Sequence, residues 1–386
     1  MVSGQNIASV DKRGRVGLVK RRQSLMRPGS QILIWTFVVF GPSILKFQDG
    51  TGPVRIACTR CLKMRFIIHG VGAIGGTIAV SLASAGQEVI GIARGEQLKA
   101  IKAKGLTLRT PKGTETCHFE CVESPSAIAL LPDDVVLVCT KTQHMGAVIK
   151  QLAAAGLQDQ SIFCFQNGVE NERTALRRFA NVHGVSVILP ADYVAPGEIL
   201  AFGSPHSGYF YLGRYPQGSD SVDEAVAQAL TASGLPAFVV PDVMKNKYGK
   251  LLLNLHNIVE AACADQGDIA PIVDLLREEA KVVFAASGVQ WQSVGEADPN
   301  RGKLMKMASI AGFTRAGSSS MQSLARSTGS IETDYLNGEV VLLGRLHGVP
   351  TPANTWFCEL AARMVREKLR PGTIPLDEVK RALSLA

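Results

Sequence analysis

Nowhere does the chain hold the roughly 18 to 20 uninterrupted apolar residues of a membrane-spanning helix. Its most conspicuous apolar run, Ile32 to Leu45, is broken by Gly41 and Pro42. No membrane partner is expected. Paired cysteine spacings are also missing. Cys58-x-x-Cys61 has no second pair and no strand-to-helix context, so it reads as coincidence rather than a zinc or redox site. The other six cysteines sit in apolar or strand-like runs such as Val138-Cys139 and Phe163-Cys164, as buried reduced thiols of an intracellular protein do. No metal is expected. Past residue 63 an excess of positive charge is lacking too. The formal charge is +8, yet residues 1–63 hold eleven Lys and Arg against Asp11 and Asp49, leaving 30 basic and 31 acidic residues for the remainder. The basic balance belongs to the N-terminal segment and makes no case for a nucleic-acid partner.

A chain of 386 residues is long enough for two domains, each with its own core. Residues 1–63 are Arg-rich, acid-poor and without a sustained period. They read as an organelle transit peptide, as a signal sequence with a badly overlong leading region, or as upstream sequence translated from a start set too early. The last is preferred, because Met64 stands directly before the first convincing strand. This segment is left out of the fold, and the body is expected to be cytoplasmic.

From Met64 short β-rich runs alternate with helical periods. Strands are expected at Arg65–His69, Glu88–Ala93, Val135–Thr140, Ser161–Phe165 and Val185–Leu189, and helices at Ala73–Ala85, Gly95–Ala103, His144–Ala155 and Glu170–Phe179. Strands separated by helices of this length imply crossovers and a parallel sheet. Gly197 to Gly213 reads as antiparallel strands near its edge, followed by a helix around Asp223–Ser233 and a strand at Ala237–Val240. After Pro241 the strand signal disappears. Segments 243–263, 271–287, 300–312, 332–347 and 353–369 show apolar residues at helical spacing. The expectation is an α/β Rossmann-type domain over 64–241 followed by an all-α domain over 242–386, with substrate in the cleft between them.

Gly70-Val71-Gly72-Ala73-Ile74-Gly75 falls between a buried strand and an amphipathic helix. Gly70 permits the tight turn, Gly72 admits a pyrophosphate and Gly75 lets helix and strand pack closely, while the helix N-terminus offers free N–H groups to phosphate. At the end of the second strand, where NAD enzymes place an acid for the ribose 2′-hydroxyl, stands Arg94. A guanidinium there suits a 2′-phosphate, so NADP(H) is preferred, with Glu96 nearby as the acid an NAD enzyme would use.

Further motifs come in order along the chain: Lys141-Thr142-Gln143, Gln166-Asn167-Gly168, Lys247-Tyr248-Gly249-Lys250-Leu251-Leu252-Leu253-Asn254, Ser318-Ser319-Ser320-Met321, and Glu332-Thr333-Asp334-Tyr335-Leu336-Asn337-Gly338. With the glycine loop they make residues 64–385 resemble the ketopantoate reductase (2-dehydropantoate 2-reductase) family. The resemblance implies a C-terminal helical fold of the 6-phosphogluconate dehydrogenase type, NADPH as reductant and a small 2-keto acid as substrate. It implies Lys250 as general acid, Glu332 as the carboxylate holding the substrate's hydroxyl end, and Asn167 beside the nicotinamide. Asn254, Ser320 and Lys141 would bind substrate. The cofactor would be held by Gly70, Gly72, Ala73, Ile74, Gly75 and Arg94, with Lys141, Asn167 and Glu332. Without the resemblance, Lys250 would read as one helix-surface lysine among Lys245 and Lys247, and Ser318–Ser320 as cap or loop residues.

Two departures bear on the substrate. His144 stands where many members have glutamine. The second asparagine expected two turns beyond Lys250 falls on Ile258, with Asn257 one residue earlier and about 100° away on a straight helix. The leading reading is reduction of 2-dehydropantoate to (R)-pantoate by a monomer or homodimer. The alternatives are an NADPH-dependent reductase of a different 2-keto acid and a non-catalytic NADP-binding protein.

Overall fold

In a computed structural model of the chain, residues 64–385 are described apart from Asp265, Glu296 and Thr328, together with the strands Gln23–Arg27 and Ser30–Ile34. These two strands pair antiparallel as a hairpin within a unit spanning 1–60. The expectation of an unstructured or non-native extension over 1–63, and the Cys58-x-x-Cys61 pair, otherwise lie outside the described residues.

The body from Cys61 onward is one compact unit. Its centre is an eight-stranded sheet in the order Ala237–Val239, Tyr209–Arg214, Val182–Ile188, Ser161–Cys164, Val135–Val138, Arg65–His69, Glu88–Ile92, Glu120–Val122. Neighbours are parallel except where Tyr209–Arg214 runs against Val182–Ile188. The central strands are continuous apolar runs because both faces are covered. Alternate side chains go to opposite layers: Phe66 and Ile68 join one core with Leu137 and Phe163, while Ile67 joins the other with Val136 and Ile162.

A hairpin that periodicity passed over, Leu106–Thr110 with Gly113–Cys117, extends a second sheet through Glu198–Ala201 to Ala191–Ala195. Leu106 and Ile199 of this sheet share a core with Ile78 of the glycine-loop helix Ala73–Ser84. The expected edge strands between Gly197 and Gly213 are thus divided. Only Tyr209–Arg214 joins the main sheet.

From Val243 onward helices dominate: Val243–Asn254, His256–Cys263, Ala270–Ala286, Ser319–Ala325, Asn337–His347, Pro352–Arg366 and Leu376–Ala382. They close on a core of Leu255, Ile258, Ile272, Leu276 and Phe357. The expected helix over 300–312 is corrected to one short turn, Arg301–Leu304, followed by a strand, Met305–Met307, antiparallel to Gly203–Pro205. Gly302 and Gly312 weaken a helix here, and a free strand edge supplies the hydrogen bonds instead. Strand structure therefore continues past Pro241.

Candidate active site

The strand Arg65–His69 is followed by Gly70, whose φ of +105° favours glycine, and the helix Ala73–Ser84 begins three residues after it. A Cβ on Gly75 would collide with the Gly70 carbonyl oxygen, so helix and strand can approach this closely only with glycine there. Gly72 is the N-cap, with no side chain capping the helix and no acid in its first turn. That leaves a partial positive charge and free N–H groups at the carboxyl end of the sheet.

Beyond this helix start opens a cavity of about 550 Å³ whose wall includes Gly72, Ala73, Ile74, Lys141, Asn167, Lys250, Asn254 and Glu332. The structure therefore brings these eight expected residues together around one space. Gly70, Gly75, Arg94 and Ser320 are not in its wall. Gly70 and Gly75 shape the loop from behind. Arg94 is exposed at the start of the helix Gly95–Lys104, while Glu96 is engaged by Lys99 at 2.8 Å. Ser320 is 1% exposed, its hydroxyl has no hydrogen-bond partner among the described residues, and Ser318 and Ser319 stand in the wall instead.

The helix Val243–Asn254 delivers Lys250 and, one turn on, Asn254. Lys250 Nζ donates to the Val187 carbonyl. Burial, with the charges of Arg301 and Lys247, lowers its pKa to about 7. Lys247 is not the surface lysine its composition suggests: it is 2% exposed, ion-paired to Glu172, and donates to the Gln166 carbonyl at 3.1 Å. Lys245 does lie near the surface, beside Asp242 at 3.0 Å. The buried Nδ2 of Asn254 has no partner among the described residues. A buried amide without a partner costs free energy, so this one is poised for a ligand.

Lys141 follows the strand Val135–Val138 and reaches across to Ser323 and to the Ser319 carbonyl. Burial lowers its pKa and the charge of Glu332 opposes that. Glu332 accepts from the Thr142 amide N–H at 3.2 Å, which ties it to the turn that carries Lys141. The Asn167 carbonyl accepts from Asn171 Nδ2 at 3.0 Å, fixing the Asn-Gly turn.

Asn257 also lines the cavity, while Ile258 is fully buried in the helical core. The expectation that Asn257 points away from the site is corrected here. Leu255, between the helices Val243–Asn254 and His256–Cys263, keeps helical backbone with φ −59° and ψ −26°, so Asn257, seven residues on from Lys250, returns to within about 20° of it around the axis, while Ile258 is turned about 80° away. His144 is exposed and is not in the wall. Sequence reasoning also missed Arg277, Arg301, Arg315 and Arg326, which with Lys141 and Lys250 face a cavity whose wall holds one acid, Glu332. Arg315 lies in irregular chain where no period marked it, and Arg301 lies in the segment 300–312, whose expected long helix is only the short turn Arg301–Leu304.

One cluster outside the cavity, His183 with Asp220 and Asp223, has metal-ligand chemistry. Both carboxylates are committed to capping the helix Ser221–Ala232, and Asp220 also pairs with Arg214 at 2.6 Å. It is a helix cap.

A glycine loop feeding a cationic cleft under a helical half that contributes a half-buried lysine defines a Rossmann-fold oxidoreductase. The family described as ketopantoate reductase PanE/ApbA matches residues 66–217, and its C-terminal counterpart matches residues 250–365. The chain belongs to the ketopantoate reductase family. It is 27% identical over 305 residues to the 2-dehydropantoate 2-reductase of Archaeoglobus fulgidus, covering 77% of this chain and 96% of that one. To the enzyme of the same name from Caulobacter vibrioides it is 28% identical over 301 residues, covering 76% and 96%. Among solved structures, the PanE/ApbA family ketopantoate reductase of Ralstonia eutropha aligns with a TM-score of 0.66 at 28% identity, over 79% of this chain and 99% of that one. A D-mandelate dehydrogenase solved with NADH and anilino(oxo)acetate aligns with a TM-score of 0.65 at 21% identity, over 80% and 100%, and shares the fold.

Proposed function

We propose that the protein reduces 2-dehydropantoate to (R)-pantoate with NADPH, Lys250 supplying the proton. The observation that carries this reading is a half-buried lysine in the wall of a cationic cavity, its pKa lowered to about 7, one turn from a buried asparagine amide without a partner among the described residues. Residues present fit a dinucleotide: the helix Ala73–Ser84 starts with uncapped N–H groups, and a Cβ on Gly72 would meet nothing in the protein within 4 Å, leaving room for a phosphate. Arg94, exposed where the ribose would lie, supports NADPH over NADH. The reduced nicotinamide, when bound, supplies a hydride to C2 of the keto acid.

The alkoxide that forms must be protonated as it forms, and Lys250 holds that proton at Nζ. Its Val187 contact aims the ammonium, and burial makes the proton easier to give than that of a solvent lysine. Asn254 and Asn257 offer amides to the substrate, Asn167 stands by the reacting carbonyl, and Glu332 accepts the substrate's hydroxyl end.

2-Dehydropantoate is preferred over a different 2-keto acid because the two departures that favoured the latter bear less on the cavity: His144 is not in its wall, and Asn257 is while Ile258 is not. A panel of 2-keto acids assayed with NADPH and with NADH tests the substrate, with 2-dehydropantoate and NADPH expected to give the highest kcat/KM. Lys250→Ala is expected to lower kcat by about 10²- to 10⁴-fold. Turnover needs the protonated lysine, so kcat/KM for reduction is expected to fall as pH rises through about 7. Unchanged turnover in the variant would sink the mechanism.

A further inference from the structure

Arg301 lies in the cavity wall at the start of the short helix Arg301–Leu304, and its surroundings fix that turn in place. Three residues earlier the buried Asp298 carboxylate accepts from the hydroxyls of Tyr209 and Tyr211, each at 2.8 Å, and from the Asn300 amide at 2.9 Å. The Arg301 amide then donates to the Asp298 carbonyl at 3.1 Å. Tyr209 is the register partner of Ile188, and the carbonyl of the preceding residue, Val187, receives Lys250. One strand pair therefore positions both cations. The guanidinium donates to the Val294 carbonyl at 3.3 Å, and among the described residues it forms no ion pair. Meanwhile Ser320, the hydroxyl that the family resemblance assigns to the substrate carboxylate, is buried behind the wall.

We propose that Arg301 receives the carboxylate of the 2-keto acid, holds the adjacent 2-oxo group at Lys250, and selects acids over uncharged analogues. This rests on the keto-acid reductase reading and deepens it. A guanidinium fork matches a carboxylate bidentately, and in a 2-keto acid the carboxylate carbon is bonded directly to the reacting carbon, so fixing one fixes the other. The charges bearing on Lys250 are Arg301 from this turn and Lys247 from its own helix, both lowering its proton affinity. An anion at Arg301 offsets that repulsion, so the acid is better protonated when substrate is bound than when it is absent.

The test compares Arg301→Gln and Arg301→Lys with the parent in the full chain. For Arg301→Gln, KM for the keto acid is expected to rise on the order of 10- to 100-fold with a smaller change in kcat, and preference for the acid over its amide to collapse. The Kd for NADPH, read by fluorescence, stays within about twofold. The basic limb of kcat/KM moves to higher pH in Arg301→Gln and stays near its place in Arg301→Lys, a shift that a merely structural role does not produce. Calorimetric binding of oxamate, an isostere of a 2-keto acid, to the protein saturated with oxidised cofactor is expected to weaken by a similar factor. Oxamate affinity and KM unchanged, acid and amide impaired equally, or NADPH weakened as much as substrate would each overturn the assignment. If the parent reduces no keto acid yet binds oxamate through Arg301, the reductase reading fails and the carboxylate site stands.

Discussion

Gly72 and Gly75 belong to one loop and answer to different pressures. Added to Gly75, a Cβ meets the Gly70 carbonyl oxygen and lies 2.9 Å from Cys139 Cβ and 3.0 Å from Ile68 Cγ2, all parts of the packed sheet. Added to Gly72, it meets nothing in the protein within 4 Å. Gly75→Ala is therefore expected to lower the unfolding free energy by about 3 kcal/mol in urea titration. Gly72→Ala should leave stability within about 0.5 kcal/mol while weakening NADPH at least roughly 10-fold, because the methyl stands where the pyrophosphate approaches. Equal NADPH affinity in Gly72→Ala would mean that the phosphates lie elsewhere. Such residues were legible in the sequence because fixed spacing carries their meaning. Ser320 was not, since one step along the helix Ser319–Ala325 turns the side chain by about 100°, and that step separates the wall from the interior. Arg301 and Arg315 were missed for another reason: the helical period read over 300–312 ends after one turn, Arg301–Leu304, and the chain that carries Arg315 has no period from which a direction can be read.

At the scale of elements, the alternation of strands and helices along the first half was readable because buried parallel strands are continuous apolar runs. What failed were the places where tertiary contacts override local pattern. The strand Met305–Met307 exists because the edge Gly203–Pro205 is there to pair with it. The helical run after Val243 reads as continuous, and Leu255, whose carbonyl accepts from Asn337 Nδ2 at 3.4 Å, keeps helical backbone. Position around that run decides which residue meets the substrate: Asn257 comes round to the cavity wall and Ile258, one step on, turns into the core. Asn257→Ala is expected to raise the keto-acid KM by about 10-fold with little loss of stability, since the Asn257 carbonyl still accepts from Ser318 at 3.1 Å. Ile258→Asn, which restores an asparagine at the position the family pattern names, places an amide in the fully buried helical core and is expected to cost about 3 kcal/mol without improving KM. The reverse pattern, with Ile258→Asn improving KM and tolerated in thermal unfolding, would place position 258 rather than Asn257 against the substrate.

On the scale of the whole molecule, the segment between Gly288 and Ser318 is held to the sheet half at two buried carboxylates. Asp298 is gripped by Tyr209 and Tyr211 of the main sheet, and Asp192, from the second sheet, accepts from the Ala316 amide and from Gln322 Nε2, each at 2.7 Å. Burial raises the pKa of Asp192 and of both tyrosines, so these carboxylates depend on their donors for compensation. Apolar packing could join two halves more cheaply, but it would slide. Directional bonds to a carboxylate fix the segment that brings Arg301 and Arg315 to the cavity. The doubly substituted Tyr209→Phe, Tyr211→Phe protein keeps the rings and removes both hydroxyls, leaving Asp298 with the Asn300 amide. It is expected to lose about 3 kcal/mol or more in urea unfolding. If the segment serves the substrate rather than the cofactor, its keto-acid KM should rise while NADPH affinity holds, because the glycine loop follows the strand Arg65–His69, four strands away from Tyr209–Arg214 in the sheet. A further Asp298→Asn change in that background removes the uncompensated charge, so it should recover part of the stability. It should recover less of the KM, since the amide still lacks the two donors that set the turn before Arg301.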